Sequence, residues 1–167
     1  EQAGTYKLPE AQLDRFLIKT SIGYPDLAAA ELILSGASTR DRSAVLEPVI
    51  TTTAVTEISD LLADVHVDSA VLRYTAQLAE ETRADATTRL GVSVRGMLAM
   101  IRAAKVWAAE EGRTYVIPDD IKALAQPVWE HRLVMDPEAE FAGASASGVI
   151  GRVLADIAAP QSRSSAA

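Results

Sequence analysis

At 167 residues the chain is long enough for one domain with a sizeable core, or for one small domain and a piece of another. Hydrophobic residues make up 49% but aromatics only 5%, so core volume must come from Leu, Ile, Val and Ala, which favours close-packed helices. Sixteen Lys and Arg, scattered singly, against 23 Asp and Glu give a net charge of −7 and argue against a nucleic-acid partner, while the lack of cysteine excludes disulfides, thiol catalysis and Cys-based zinc sites.

No apolar run approaches the ~20 residues a membrane helix needs, and no signal peptide is visible. A cysteine-free chain of this kind fits a reducing, cytoplasmic setting. The opening EQAGTYKL lacks the character of a protein start, so the chain is expected to be a piece of a longer protein.

Residues 1–9 read as a loop, and Pro9-Glu10-Ala11 opens a short helix reaching about Arg15 or Phe16. Phe16 to Ile22 is apolar and β-branched, the pattern of one strand whose sheet partners lie elsewhere. After the turn Gly23-Tyr24-Pro25, Asp26 caps a helix from Leu27 to Ser35 that stops at Gly36. Residues 36–44 form a polar linker, and Thr51 to Thr53 offer a cap for a helix carrying Val55, Ile58, Leu62 and Val65. The next helix starts at Asp68, carries Val71, Tyr74 and Leu78, and frays near Asp85.

Residues 93–111 are the strongest helix, capped by Ser93. Val94, Met97, Leu98, Ile101, Ala104 and Ala108 share a broad apolar face, extended by Met100, Ala103 and Trp107. A narrow polar stripe holds Arg95 and Arg102, seven residues apart and nearly aligned. Gly112 ends this helix, Pro118-Asp119-Asp120 opens another, and Pro127 should end or kink that one. Residues 136–146 read as a loop, Val149 to Ile157 as a last amphipathic helix, and 160–167 as a disordered tail.

Few residues are candidates for chemistry. His66 and His131 lack metal-ligand spacing, and neither a G-x-S-x-G turn nor a G-x-x-x-x-G-K-[ST] loop occurs. The carboxylate pairs Glu10/Asp14 and Asp119/Asp120 are explained by helix starts at least as well as by acid–base work. Arg95 is different. It sits in a first helical turn, where the dipole disfavours a cation by a few tenths of a kcal/mol. It is either a solvated arginine or one aimed at an anion approaching the helix start. Arg15, at the end of LPEAQLDRF, is either in a salt bridge or placed to stabilise charge on a transferring phosphoryl group.

Two stretches carry a resemblance. GTYKLPEAQLDRFLIKTSIGYPD (4–26) is similar to the end of the ATPase core of the MoxR family of AAA+ proteins, and LGVSVRGMLAMIRAAKVWAAEEGRTYVIPDDIKALAQPVWEHRL (90–133) resembles a helix and the motifs after it in that family's lid. LEPVI (46–50) and VHVDSAVLRYTAQL (65–78) also match, so the resemblance runs from residue 4 to about 157. It implies a mainly α chain: residues 1–25 as a remnant of the α/β nucleotide-binding core (loop, short helix, one strand), and 26–159 as the all-helical lid. The phosphate loop and the Mg²⁺-binding motif would lie upstream of Glu1, leaving this piece inactive alone. Arg15 matches the arginine finger that reaches a neighbouring subunit's nucleotide, Arg95 the second-sensor arginine, and Tyr24 an adenine-side hinge position. The implied parent hydrolyses ATP with Mg²⁺ in a homo-oligomeric ring, a hexamer, and remodels or assembles client proteins, often with a von Willebrand A-type partner. Lys7, Val94 and Ile117 depart from the family pattern, but no arginine is lost. The alternative is a non-catalytic helical interaction module with the arginines as surface charges. Buried salt bridges at Arg15 and Arg95 would favour it; exposure would favour the ATPase reading.

Overall fold

The computed structural model describes residues 8–36 and 47–160. Local signals set most helix starts. Asp26 accepts a hydrogen bond from the Ala29 amide (2.8 Å) ahead of α2 (Leu27–Ser35), and Thr51 accepts from Ala54 (3.1 Å) ahead of α3 (Thr52–Ala63). Asp68 caps α4 (Ser69–Ala84) through the Ala70 amide, and Ser93 caps α5 (Val94–Glu110) through that of Gly96. The first helix, α1 (Glu10–Leu13), is a single turn after Pro9 and stops short of Arg15.

The described residues within Glu1–Lys19 and Leu62–Ala167 form one unit, and those within Thr20–Leu61 another. The first unit holds the core. Val71, Tyr74, Leu78 and Ala79 of α4 meet Ala99, Met100, Ala103, Ala104 and Ala108 of α5. Ile121, Leu124, Val128 and Trp129 of α6 (Pro118–Trp129) and Val149, Ile150 and Val153 of α8 (Ala146–Asp156) complete it. Alanines on α5 let the neighbouring backbones approach closely, which offsets the shortage of aromatic volume.

The α5 face differs from the sequence expectation. Val94, Leu98 and Trp107 are exposed, whereas Gly96 and Ala99 are buried beside Met100 and Ala103. The helix turns its small residues inward, and residue size rather than hydrophobicity decides which side can pack tightest.

Other expectations need correction. Phe16 to Ile22 is not a strand. Its backbone groups are taken singly, as when the Lys19 amide donates to Pro127 O (2.9 Å), and no strand edge among the described residues offers it a ladder. The two-stranded sheet lies elsewhere: β1 (Thr88–Leu90) pairs antiparallel with β2 (Val134–Met135). Pro127 does not end α6, which runs on to Trp129 and into a 3₁₀ turn, Glu130–Arg132. The last-turn carbonyls of Gln126, Pro127 and Val128 find donors in the Glu130 amide, the Lys19 amide and Arg132 Nε. Within the expected loop 136–146, Asp136 caps a short helix, α7 (Pro137–Phe141). Most of the expected linker 36–44 and nearly all of the tail fall outside the described residues.

In the Thr20–Leu61 unit, α2 and α3 bury no residue, and Ile22, Leu27, Leu32, Leu34, Val49 and Leu61 are exposed. No helix among the described residues is long and apolar enough to cross a membrane.

Candidate functional site

The segment before α5 is fixed from below by α4. Arg83 Nε donates to Val92 O (2.7 Å), and the Val92 amide donates to Thr82 Oγ1 (3.0 Å). Gly91 lies so close to α4 that a Cβ there would stand 2.6 Å from the Arg83 backbone nitrogen and 2.7 Å from its Cα. Only glycine permits that approach. The glycine of LGVSVRG therefore seats the start of α5 against α4 and sets where Ser93 and Arg95 emerge.

The segment around Arg15 is brought to this helix start by Asp14. Ser93 Oγ donates to its carboxylate (3.0 and 3.1 Å) while accepting from the Gly96 amide, and Arg132 Nη1 donates to the same carboxylate at 2.8 Å. Arg95 Nη1 lies 3.7 Å from the other Asp14 oxygen. Glu10 forms an ion pair with Arg89 of β1, a second tie for α1. Neither carboxylate of this expected pair is placed for acid–base work; both are engaged by arginines.

Asp14, Arg15, Leu17, Arg95, Leu98, Ala99, Arg102 and Arg132 line an open cleft of about 770 Å³. Arg15, Arg95 and Arg102 are exposed there. Arg95 keeps 57% of its side chain exposed despite the Asp14 contact, and the Arg15 and Arg102 side chains have no hydrogen bond or ion pair among the described residues. Four arginines against one carboxylate make this cleft positive in a chain whose net charge is −7. Its field attracts anions that the rest of the surface repels.

The structure thus brings Arg15 and Arg95 to one cleft, with neither locked in a buried salt bridge. Tyr24 belongs to the Thr20–Leu61 unit, is fully exposed, and is not part of the cleft lining. His66 holds a loop through its backbone: its amide donates to Thr114 O (2.9 Å), and its carbonyl accepts from Val116 (3.0 Å). His131 Nε2 donates to Phe16 O (2.9 Å). Of the acidic pair at the start of α6, Asp119 meets Lys122 at the surface, whereas Asp120 is buried against Arg113. No group of three or more His, Asp or Glu among the described residues could hold a metal.

Arg132 and Asp14 went unrecognised as a pair in the sequence. Arg132 is buried, with 1% of its side chain exposed, and one arginine at a helix end carries no periodic signal. The clue available was its place directly after Trp129-Glu130-His131, where a large aromatic had to be buried.

The AAA lid domain family matches residues 80–150, from the end of α4 into α8, a stretch that holds Arg95 and the cleft side of α5. YeaC of Bacillus subtilis is 37% identical over 164 residues, 98% of this chain and 51% of that protein. The chaperone MoxR1 of Mycobacterium tuberculosis is 32% identical over 170 residues, covering 96% of this chain and 45% of its own length. The chain belongs to the MoxR family of AAA+ proteins. The crystal structure of a "putative ATPase" from Cytophaga hutchinsonii superposes with a TM-score of 0.83 at 29% identity, covering 96% of this chain and 52% of that one. The chain therefore spans about half the length of these two relatives. The helices around the cleft are those of the AAA+ lid, with the LPEAQLDRF segment fastened to them through Asp14.

Proposed function

We propose that the chain supplies the lid and two phosphate-directed arginines of a ring-forming MoxR-type ATPase, which couples ATP hydrolysis to remodelling or assembly of client proteins. The observation that carries this reading is the exposure of Arg15 and Arg95 in one positive cleft, connected through Asp14. A guanidinium offers a planar, always-charged fork to phosphate oxygens. Charge on a transferring phosphoryl group is stabilised by such donors, and an arginine finger accounts for 10³–10⁵ in rate in related chemistry.

Arg15 and Arg95 line one cleft, which supports a reading in which they serve one phosphate chain. If Arg15 is the finger directed at a neighbouring subunit's ATP, Arg95 acts on that same neighbour. The cleft has the charge to meet phosphate. The described residues lack an acidic cluster suited to Mg²⁺, so a metal ion would be held by other parts of the protein. The role of Tyr24 at the adenine side, a hexameric ring and a von Willebrand A-type partner rest on the family resemblance.

The test uses a full-length protein containing this chain. Arg15→Ala and Arg95→Ala should each lower kcat about tenfold or more. An unchanged rate removes the assigned role. Mixing the two variants discriminates further. When both arginines serve the neighbour, every mixed site lacks one of them and activity stays low. When Arg95 acts at home, some mixed sites are complete and activity returns.

A further inference from the structure

Arg132 is the most buried cation of the cleft, yet its donors go to backbone and to one carboxylate. Nη1 donates to Asp14 O (2.6 Å) and to the Asp14 carboxylate (2.8 Å), Nη2 to Phe16 O (2.5 Å), and Nε to Val128 O (2.8 Å). The two carbonyls that its Nη atoms grip belong to the residues on either side of Arg15. His131 Nε2 adds a second donor on Phe16 O at 2.9 Å. Between these points the Arg15 amide donates to Gln12 O (3.1 Å), which leaves only its side chain free to swing.

The same side chain lies beneath the other arginine. A Cβ on Gly96 would sit 3.3 Å from Arg132 Cδ and 2.9 Å from Val92 Cγ1, so the stem of Arg132 passes directly under the residue that follows Arg95. Trp129 Nε1 donates to Gly96 O (3.0 Å), closing the other side of that turn. A single planar, buried group thus spans the backbone of one exposed arginine and the helix start of the other.

We propose that Arg132 is a positioning residue: through forked hydrogen bonds to Asp14 O and Phe16 O it fixes the backbone at Arg15 relative to Arg95, so that both guanidinium groups reach one phosphate chain. This rests on the nucleotide-directed reading of Arg15 and Arg95. Lysine keeps the charge, but a compact ammonium on a flexible stem cannot bridge the two carbonyls as the planar fork does.

The test is Arg132→Lys in the full-length protein, alone and combined with Arg15→Ala. The expected result is a kcat lowered about tenfold with the KM for ATP changed less than about twofold, and no further loss when Arg132→Lys is added to Arg15→Ala. A second readout needs no ATP. In the 167-residue chain, Arg132→Lys should speed hydrogen exchange at the Phe16 and Lys19 amides and leave the α5 amides unchanged. Normal kcat in Arg132→Lys beside a crippled Arg15→Ala overturns the proposal alone, as do multiplicative losses in the double variant or unaltered exchange at Phe16 and Lys19. Normal kcat in Arg15→Ala overturns the nucleotide reading and this proposal with it. Should Arg132→Lys fail to fold, His131→Leu removes the second donor on Phe16 O without touching the buried charge. It should lower kcat about threefold, again only while Arg15 is present, and a loss of equal size without Arg15 overturns the proposal.

Discussion

Replacing Asp120 by alanine should destabilise the lid by about 3 kcal/mol, while the same change at its neighbour Asp119 should be nearly silent. Asp120 keeps 4% of its side chain exposed and accepts from Arg113 at 2.6 and 2.8 Å and from the Ile117 amide at 2.8 Å. Removing one partner of a buried ion pair costs about 3–5 kcal/mol. Arg113 retains 22% exposure and can recover some hydration, which brings this part down to about 2 kcal/mol. The unpaired Ile117 amide and the lost first-turn carboxylate add about 1 kcal/mol more. Ile117 has no side-chain acceptor for the start of α6, and the Asp120 carboxylate is the side chain that takes up the Ile117 amide there. Asp119, 75% exposed and paired with Lys122, belongs to the surface class worth under about 0.5 kcal/mol. Urea unfolding followed by circular dichroism measures both, with an unchanged m-value confirming that the same structure unfolds. Adding Arg113→Leu to Asp120→Ala should recover part of the loss by withdrawing the second charge. Equal midpoints for the two single variants would refute the reasoning, because burial would then not distinguish the carboxylates.

Gly91→Ala should cost about 1–3 kcal/mol in the same assay, since its Cβ would meet α4 backbone rather than a movable side chain; a wild-type midpoint would show that α4 and the turn separate easily. Burial alone would raise the Asp85 carboxyl, but the Thr87 hydroxyl, the Arg152 guanidinium and the Thr87 amide outweigh it and hold it below the ordinary carboxylate value. The unfolded chain therefore takes up the proton first on acidification, so this stabilisation is complete above about pH 4 and fades as pH falls further. Asp85→Asn should flatten that part of the pH–stability curve, and parallel curves for the two proteins would rule the effect out. The chain alone, lacking a phosphate loop, should show no ATP turnover, and calorimetry should detect no binding at ~10 μM ATP; a micromolar affinity would contradict the division of labour proposed for the cleft.

Capping is where sequence spoke most clearly. Asp26, Thr51, Asp68 and Ser93 each act on an amide two or three residues away, so their role needs no knowledge of the rest of the fold. The β1–β2 pair was illegible because two very short strands, 44 residues apart between Leu90 and Val134, are defined only by meeting each other. On α5, Ala103, Ala104 and Ala108 were legible as apolar-face residues, but Gly96 and Ala99 were not, because they contribute little to any hydrophobic pattern and yet permit the closest packing. At the site, Arg15 and Arg95 could be singled out from their motifs, and the cleft that joins them could not. It depends on Asp14, read as a helix-start carboxylate, and on Arg132, 118 residues away in sequence from its partner.

The contrast between the arginines that share Asp14 bears directly on how the cleft could work. Arg132 is held at 2.8 Å with three further backbone bonds and almost no solvent, so releasing it would strand a buried charge at a cost of several kcal/mol. Arg95 stands 3.7 Å away and more than half exposed, in a class of pairs worth about 0–1 kcal/mol. Its place in the first turn of α5 is mildly unfavourable, and the nearby carboxylate offsets that cost without fixing the side chain. An incoming phosphate would therefore displace Asp14 from Arg95 at little cost, while Arg132 keeps the same carboxylate and the backbone beside Arg15 where they are. A framework held by one arginine, with the heads of two others left exposed, would let an anion meet both without rebuilding the lid. Under the proposed function, that separation between the fixed backbone and the exposed guanidinium groups would let Arg95 turn from Asp14 to phosphate while the backbone beside Arg15 stays in place.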